Sequence, residues 1–237
     1  MSSRRHIALL LAGGKGVRMN APQPKQFMRL DGESVLLHTM RAFQRHPLIG
    51  DIYVVCADEW SVTVEEEART GGIDKLRATI TGGQEAFDSL RNGVAGLLRL
   101  DGDRDALVLV HDAVRPLVTQ DIISRNIAVC LTHGNAITAL SSHEAFMVSH
   151  DGKQSETYLP REGMLRAQTP HTFPLGTLEH IMTQTQEQGI AHSQSLFTLA
   201  NETGFTPLYI AEGDILNFKL TTPQDLIVYQ ALKDMEL

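Results

Sequence analysis

Apolar residues recur along this chain in short unbroken runs separated by segments of helical periodicity. Residues 7–12 (IALLLA), 52–56 (IYVVC), 106–110 (ALVLV) and 136–140 (AITAL) are nearly continuous in apolar side chains. Runs of this length bounded by turn residues predict strands buried on both faces, as in parallel sheets. A shorter strand is predicted over 78–81. Between these runs the apolar spacing widens to the helical period. Residues 34–45 carry Val35, Leu36, Met40 and Phe43 on one side, and helices are also predicted over 62–69 and 85–100. Thr119 reads as the N-cap of a helix running to His133. Two more helices are predicted over 175–188 and 195–203, followed by a strand over 206–210. Thr222-Pro223 with Asp225 marks the start of a last helix, with Pro at the first helical position.

Strands alternating with helices predict an α/β fold with a mostly parallel sheet covered on both faces. Ligands of such sheets bind beyond the carboxyl ends of the strands. Gly13, Gly83, Asp112 and Ser141 all fall just past predicted strand ends. Residues 141–166 break the rhythm. Phe146-Met147-Val148, then Asp151-Gly152, then Tyr158-Leu159 read as a hairpin projecting from the main sheet. An arm with exposed apolar residues calls for a cover, and a second subunit supplies one. One domain spanning 1–237, with a dimerising arm at about 141–166, is the economical division.

Composition narrows the function. The 237 residues suffice for one large α/β domain, and no stretch nears the ~18 apolar residues of a membrane span. The start of the chain lacks a secretory pattern, which places the protein in the cytoplasm. Cys56 and Cys130 sit inside apolar runs without metal spacing and read as core residues. The formal net charge of −7 argues against general nucleic-acid binding. Against that background, residues 13–30 hold Lys15, Arg18, Lys25 and Arg29 and no Asp or Glu. An acidic protein with a local cationic loop suits a small anionic substrate.

The same loop, Leu11-Ala-Gly-Gly-Lys-Gly-Val-Arg-Met19, follows a buried strand. Its glycines let backbone N–H groups approach an anion and form a nest. It matches neither the Walker spacing nor Gly-x-Gly-x-x-Gly. Alone, it also reads as a tight turn with solvated cations. Asp112 and Arg115 in His111-Asp-Ala-Val-Arg-Pro116 read as serving acceptor binding or metal organisation, or equally as a local salt bridge. Lys219, taken alone, reads as a surface lysine.

In combination these segments resemble one family. Residues 11–19, Pro24 to Phe27, Gly82-Gly83 with Ser89, residues 111–116, Gln168-Thr169-Pro170 with Phe173, and residues 217–223 occur in order. They resemble the cytidylyltransferases of the 2-C-methyl-D-erythritol 4-phosphate and ribitol 5-phosphate type, over nearly the whole chain. The resemblance implies a Rossmann-like nucleotidyltransferase fold and a homodimer built through the arm. It implies that Ala12, Gly13, Gly14 and Lys15 form the CTP loop, and that Arg18 and Lys25 hold the triphosphate. It places Gly83 and Ser89 at the cytosine, Ala113 at the nucleoside and Lys219 at the α-phosphate. Asp112, Arg115, Glu144 and Arg161 would serve a polyol phosphate, with Arg161 donated by the partner's arm. Mg²⁺ would be held mainly by the CTP phosphates. No covalent enzyme nucleophile is required, because the attacking phosphate oxygen is already an anion.

Three places depart from the family pattern. Ala86 stands where an Arg is usual, behind Gln84. Glu144-Ala145 aligns with an Asp-Thr pair, and Gln194-Ser195 with a Thr/Ser-Asp pair. Both acceptors stay open on these residues, as does the pathway, isoprenoid or cell-surface polymer. Two other readings remain: a sugar-nucleotide pyrophosphorylase using another nucleoside triphosphate, and a catalytically impaired nucleotide-binding homologue.

Overall fold

The computed structural model describes residues 4–13, 23–30 and 32–234. Strand β1 (His6–Leu11) is followed by a small hairpin of β2 (Arg29–Leu30) and β3 (Glu33–Ser34). Then come β4 (Asp51–Cys56), β5 (Leu76–Thr81), β6 (Leu107–Asp112) and β7 (Ala136–Ser141). After an excursion containing β8 (Phe146–Val148) and β9 (Thr157–Leu159), the chain returns as β10 (Leu165–Pro174) and later adds β11 (Ile210–Glu212). Seven of these form one sheet in the order β11-β7-β10-β6-β1-β4-β5. Within it β10 alone runs antiparallel to its neighbours, β6 and β7.

Alternation along the strands sorts side chains to two faces. Ala8 and Leu10 of β1 join the core beneath α1 (Val35–Arg45), α2 (Ser61–Thr70) and α4 (Gln120–His133). Ile7 and Leu9 face the opposite core, under α3 (Ala86–Leu100), α5 (Leu175–Glu187) and α6 (Leu196–Glu202). With both faces covered, each strand reads as a continuous apolar run rather than an alternating one. Three of the helix starts, those of α1, α4 and α6, are fixed by short hydroxyl side chains. Ser34, Thr119 and Ser195 accept hydrogen bonds from the backbone N–H of Leu37, Ile122 and Thr198 at 3.0, 3.3 and 3.2 Å. Helix α7 (Pro223–Asp234) is anchored by Asp225, whose carboxylate accepts from the N–H of Thr221 and Thr222, both at 2.7 Å.

Two features differ from the sequence expectation. Strand β10 was not predicted, because polar Gln168 and Thr169 and donor-less Pro170 interrupt its pattern. The ladder accommodates them with a register shift between Ala167 and His171, the kind of irregularity where a proline fits in a sheet. The strand expected over 206–210 instead pairs over Ile210–Glu212. Pro207 has no N–H to give the ladder, so regular pairing begins after it.

The hairpin arm forms where predicted. Phe146, Met147 and Val148 pair antiparallel with Leu159, Tyr158 and Thr157. Asp151 shapes the turn by accepting from the N–H of Lys153 and Gln154 at 2.9 and 3.2 Å. Because Ser141 of β7 pairs with Leu165 of β10, the arm leaves the sheet at its carboxyl edge. Met147 and Tyr158 are 77% and 73% exposed there. Among the described residues no helix is long and apolar enough to cross a membrane.

Candidate active site

At this carboxyl edge two strand ends and the start of α3 form a backbone cradle. An added Cβ on Gly13, past β1, would stand 2.2 Å from Ser89 Oγ, and one on Gly83, past β5, would stand 2.0 Å from Asp88 Cβ. Ser89, from the first turn of α3, accepts the Gly83 N–H at 3.1 Å. Glycine is therefore required at both positions by close approach, and Ser89 ties the two loops together. Ala12 is held from below by Gln26, whose buried amide donates to the Ala12 carbonyl at 2.5 Å. Gln26 belongs to a 3-10 turn over Lys25–Phe27, and Phe27 stacks on Trp60 at 4.1 Å. Lys25 is thus anchored on a firm turn. It also lies in electrostatic reach of Asp225 at the start of α7.

A cleft at the same edge carries charge. Asp112, the last residue of β6, accepts from Arg115 Nε at 3.0 Å through Oδ2 and from Lys219 Nζ at 3.1 Å through Oδ1. Arg115 also donates to the Asn217 carbonyl at 2.7 Å. Burial alone would raise the Asp112 carboxyl. Lys219 and Arg115 together outweigh it and hold the group well below the usual carboxylate range. Lys219 is the most accessible of the three, with 41% of its side chain exposed against 19% for Asp112 and 11% for Arg115.

A buried polar layer supports these charges. Thr169 accepts the Asp112 N–H at 3.1 Å and lies 3.0 Å from His111 Nδ1, and His111 Nε2 lies 3.2 Å from the Arg115 carbonyl. Asn217 donates to the Thr169 carbonyl at 2.8 Å, and Gln168 donates to the Asp214 carbonyl at 2.7 Å. The cleft beside this layer encloses about 170 Å³ and is lined by Asp112, Arg115, Lys219, Ala86, Gln194 and Ser195, among others. Burial pushes His111 down to about 3 and His171, which also lines the cleft, down to about 4, so both rings are neutral near pH 7.

The structure thus brings together Asp112, Arg115 and Lys219 in one ionic cluster, and Gly13, Gly83 and Ser89 in one backbone cradle. Ala113 is fully buried below the cleft. Its N–H donates to the Leu11 carbonyl at 3.1 Å and its carbonyl accepts from Thr39 at 2.8 Å. Glu144 and Arg161 stand exposed on the arm and do not line the cleft of their own chain. Gly14, Lys15 and Arg18 lie outside the described residues. Two of the departures from the family pattern, Ala86 and Gln194-Ser195, meet at the cleft wall, whereas Ala145 belongs to the arm. Sequence reasoning assigned no role to His111, Thr169 or Asn217. The signal was a polar pair, Gln168-Thr169, inside a segment that the sheet buries.

Among the described residues no group of three or more His, Cys, Asp or Glu side chains is placed to hold a metal. Asp112 is the carboxylate that lines the cleft, and both its oxygens are engaged by cations. Such a donor set fits an ion carried chiefly by substrate phosphates, not one caged by the protein.

Comparison with known proteins agrees with this geometry. The family model described as "IspD: 2-C-methyl-D-erythritol 4-phosphate cytidylyltransferase" matches residues 6–234. The ribitol-5-phosphate cytidylyltransferase of Lacticaseibacillus paracasei is 34% identical over 236 residues, covering 97% of this chain and 99% of the relative. The 2-C-methyl-D-erythritol 4-phosphate cytidylyltransferase of Geobacter metallireducens is 33% identical over 226 residues, covering 95% and 96%. Among solved structures, a 4-diphosphocytidyl-2C-methyl-D-erythritol synthase superposes with a TM-score of 0.80 at 27% identity, covering 97% of this chain and 99% of that one. Backbone cradle, ionic cluster, arm and whole-length similarity lead to one conclusion: this chain belongs to the 2-C-methyl-D-erythritol 4-phosphate cytidylyltransferase family.

Proposed function

We propose that the protein transfers CMP from CTP to a polyol phosphate and releases pyrophosphate, with D-ribitol 5-phosphate as the acceptor. The observation that carries the reaction is the Asp112–Arg115–Lys219 cluster lining one cleft at the carboxyl edge of the sheet. An anionic oxygen of the acceptor phosphate attacks the α-phosphorus. A new P–O bond forms, the bond from the α-phosphorus to the β-phosphate oxygen breaks, and pyrophosphate leaves with that electron pair. Positioning and charge stabilisation supply the catalysis. Lys219, on its flexible and accessible stem, is assigned to the α-phosphate, and Lys25 and Arg18 to the rest of the triphosphate. Gly13, Gly83 and Ser89 are assigned to the nucleoside end. Asp112 and Arg115 orient the acceptor. Mg²⁺ would enter with CTP, held by its phosphate oxygens, and would supply further charge neutralisation.

Support for ribitol phosphate comes from relatives. Ribitol-5-phosphate cytidylyltransferases of Lacticaseibacillus paracasei and Streptococcus agalactiae are 34% and 31% identical to the chain. 2-C-Methyl-D-erythritol 4-phosphate is the second reading, favoured by the family description and by relatives at 31–33%. We assign the exposed arm, with Met147, Tyr158 and Leu159, to a two-fold dimer in which each arm brings Arg161 and Glu144 to the partner's cleft. The test is pyrophosphate release across CTP, UTP, GTP and dTTP with each polyol phosphate. Release confined to CTP is expected. Equal release from UTP or GTP would favour the pyrophosphorylase reading, and no release the impaired one.

A further inference from the structure

The hydrogen bonds beneath the cleft form a closed circuit whose proton positions can be assigned. The Asp112 backbone N–H can only donate, and it donates to Thr169 Oγ1 at 3.1 Å. The Arg115 carbonyl can only accept, so His111 Nε2, 3.2 Å away, carries a proton. In a neutral ring Nδ1 is then an acceptor, and the Thr169 hydroxyl, 3.0 Å away, donates to it. The circuit closes through the Arg115 side chain, which returns to the Asp112 carboxylate at 3.0 Å. His111 is fully buried and meets Phe43 edge-on at 5.1 Å.

We propose that His111, neutral and protonated on Nε2, is a positioning residue for the transfer reaction. It ties the Asp112–Arg115 turn to Thr169 of β10 and so fixes where the Asp112 carboxylate and Arg115 guanidinium stand in the cleft. The inference rests on the proposed activity and adds to it a residue at the cleft floor to which that reading assigns no substrate contact. The Arg115 carbonyl needs a proton on Nε2, so of the two neutral tautomers only the Nε2–H form satisfies every bond. Burial supports the assignment by pushing the ring's pKa down to about 3, which keeps it neutral wherever the enzyme works. Thr169 matters equally, because its hydroxyl accepts from Asp112 and donates to His111 at once. The strand irregularity around Gln168 and Pro170 is what turns Thr169 out of the ladder toward β6.

A structural role alone must be separated from a positioning one. The same strand offers a matched control. Thr172 donates to Asn126 Oδ1 at 2.9 Å in a second buried network that includes Thr138, and none of these three residues lines the cleft. Thr169→Val and Thr172→Val each delete one hydroxyl from β10, half-buried at Thr169 and buried at Thr172. Thr169→Val is expected to lower kcat by about 10- to 10²-fold, the scale of a small misplacement of catalytic groups. It should change the CTP KM by less than about threefold, and Thr169→Ser should restore most of the loss. Thr172→Val, at a comparable loss of thermal stability, should keep kcat within about twofold of wild type. Nitrogen-15 NMR of the unmodified protein reads the tautomer directly, and His111 is expected to show Nε2 protonated and Nδ1 bare from about pH 5 to 8. A ring protonated on Nδ1, or equal kcat for the two valine variants, would overturn the proposal. If wild-type protein releases no pyrophosphate at all, the reaction reading fails, while the NMR result still decides the tautomer.

Discussion

Replacing Asp112 by Asn removes the charge at the centre of the cluster while keeping its shape. The two bonds at stake are those from Arg115 Nε at 3.0 Å and Lys219 Nζ at 3.1 Å. A bond to a charged group contributes about 1.5–3 kcal/mol, and a neutral one about 0.5–1.5. Lys219 is two-fifths exposed, so solvent screening reduces its share to below about 1 kcal/mol. Asn retains one neutral bond. The net loss of folding stability at pH 7 comes to about 1–3 kcal/mol. Its pH dependence has a definite sign. The folded-state carboxyl lies below its ordinary value, because Lys219 and Arg115 outweigh the effect of burial. Its contribution is therefore complete above the unfolded pKa of about 3.9 and is lost as pH falls through the lower folded value. Urea denaturation of wild type and Asp112→Asn should show a constant gap from about pH 8 to 5. Below about pH 4 the gap should narrow. Pyrophosphate release should fall together with stability, since Asp112 is the group proposed to orient the acceptor. Equal stabilities at pH 7, or a gap that stays unchanged at pH 3, would refute the reasoning.

Three other outcomes follow from the same geometry. Lys219→Ala should lower kcat by about 10²-fold or more, as expected for one lost preorganised charge, with the thermal midpoint nearly unchanged; steady-state kinetics and calorimetry check both halves. Gly83→Ala forces a Cβ to within 2.0 Å of Asp88 Cβ and so must shift the start of α3; isothermal titration should show CTP binding weakened at least tenfold. Mixing Arg161→Ala with Lys25→Ala subunits should restore part of the activity, because one site of the mixed dimer is whole. No recovery despite demonstrated subunit exchange would place Arg161 in its own chain's cleft or outside the chemistry.

The parallel framework was legible because strands buried on both faces must be apolar throughout. Residues 7–12 and 106–110 therefore announced β1 and β6 without help from their neighbours. Strand β10 was not legible. Its central residues serve the buried polar layer, and Gln168, Thr169 and Pro170 carry the marks of a loop while lying in a sheet. The edge strand β11 was displaced for a similar reason, since Pro207 delays its pairing. In the site, Asp112, Arg115 and Lys219 come together in one ionic cluster and Gly13, Gly83 and Ser89 in one cradle, and it was the resemblance of the combined motifs, not each residue alone, that singled them out. The convergence of Ala86 with Gln194-Ser195 was not, because those residues are far apart in sequence and α3 and α6 bring them to one wall. The partner-facing role assigned to Arg161 comes from the resemblance, and the arm's exposure is compatible with it.

The central claim is that the α-phosphorus of CTP passes to a polyol phosphate held in this cleft. Incubation with CTP, Mg²⁺ and D-ribitol 5-phosphate or 2-C-methyl-D-erythritol 4-phosphate, followed by phosphorus-31 NMR and mass spectrometry, tests it directly. The account predicts equimolar pyrophosphate and a CDP-polyol with two coupled phosphorus resonances, formed faster from ribitol phosphate and abolished by Lys219→Ala. Pyrophosphate or CMP without a CDP-polyol, or no turnover of either acceptor, would contradict it.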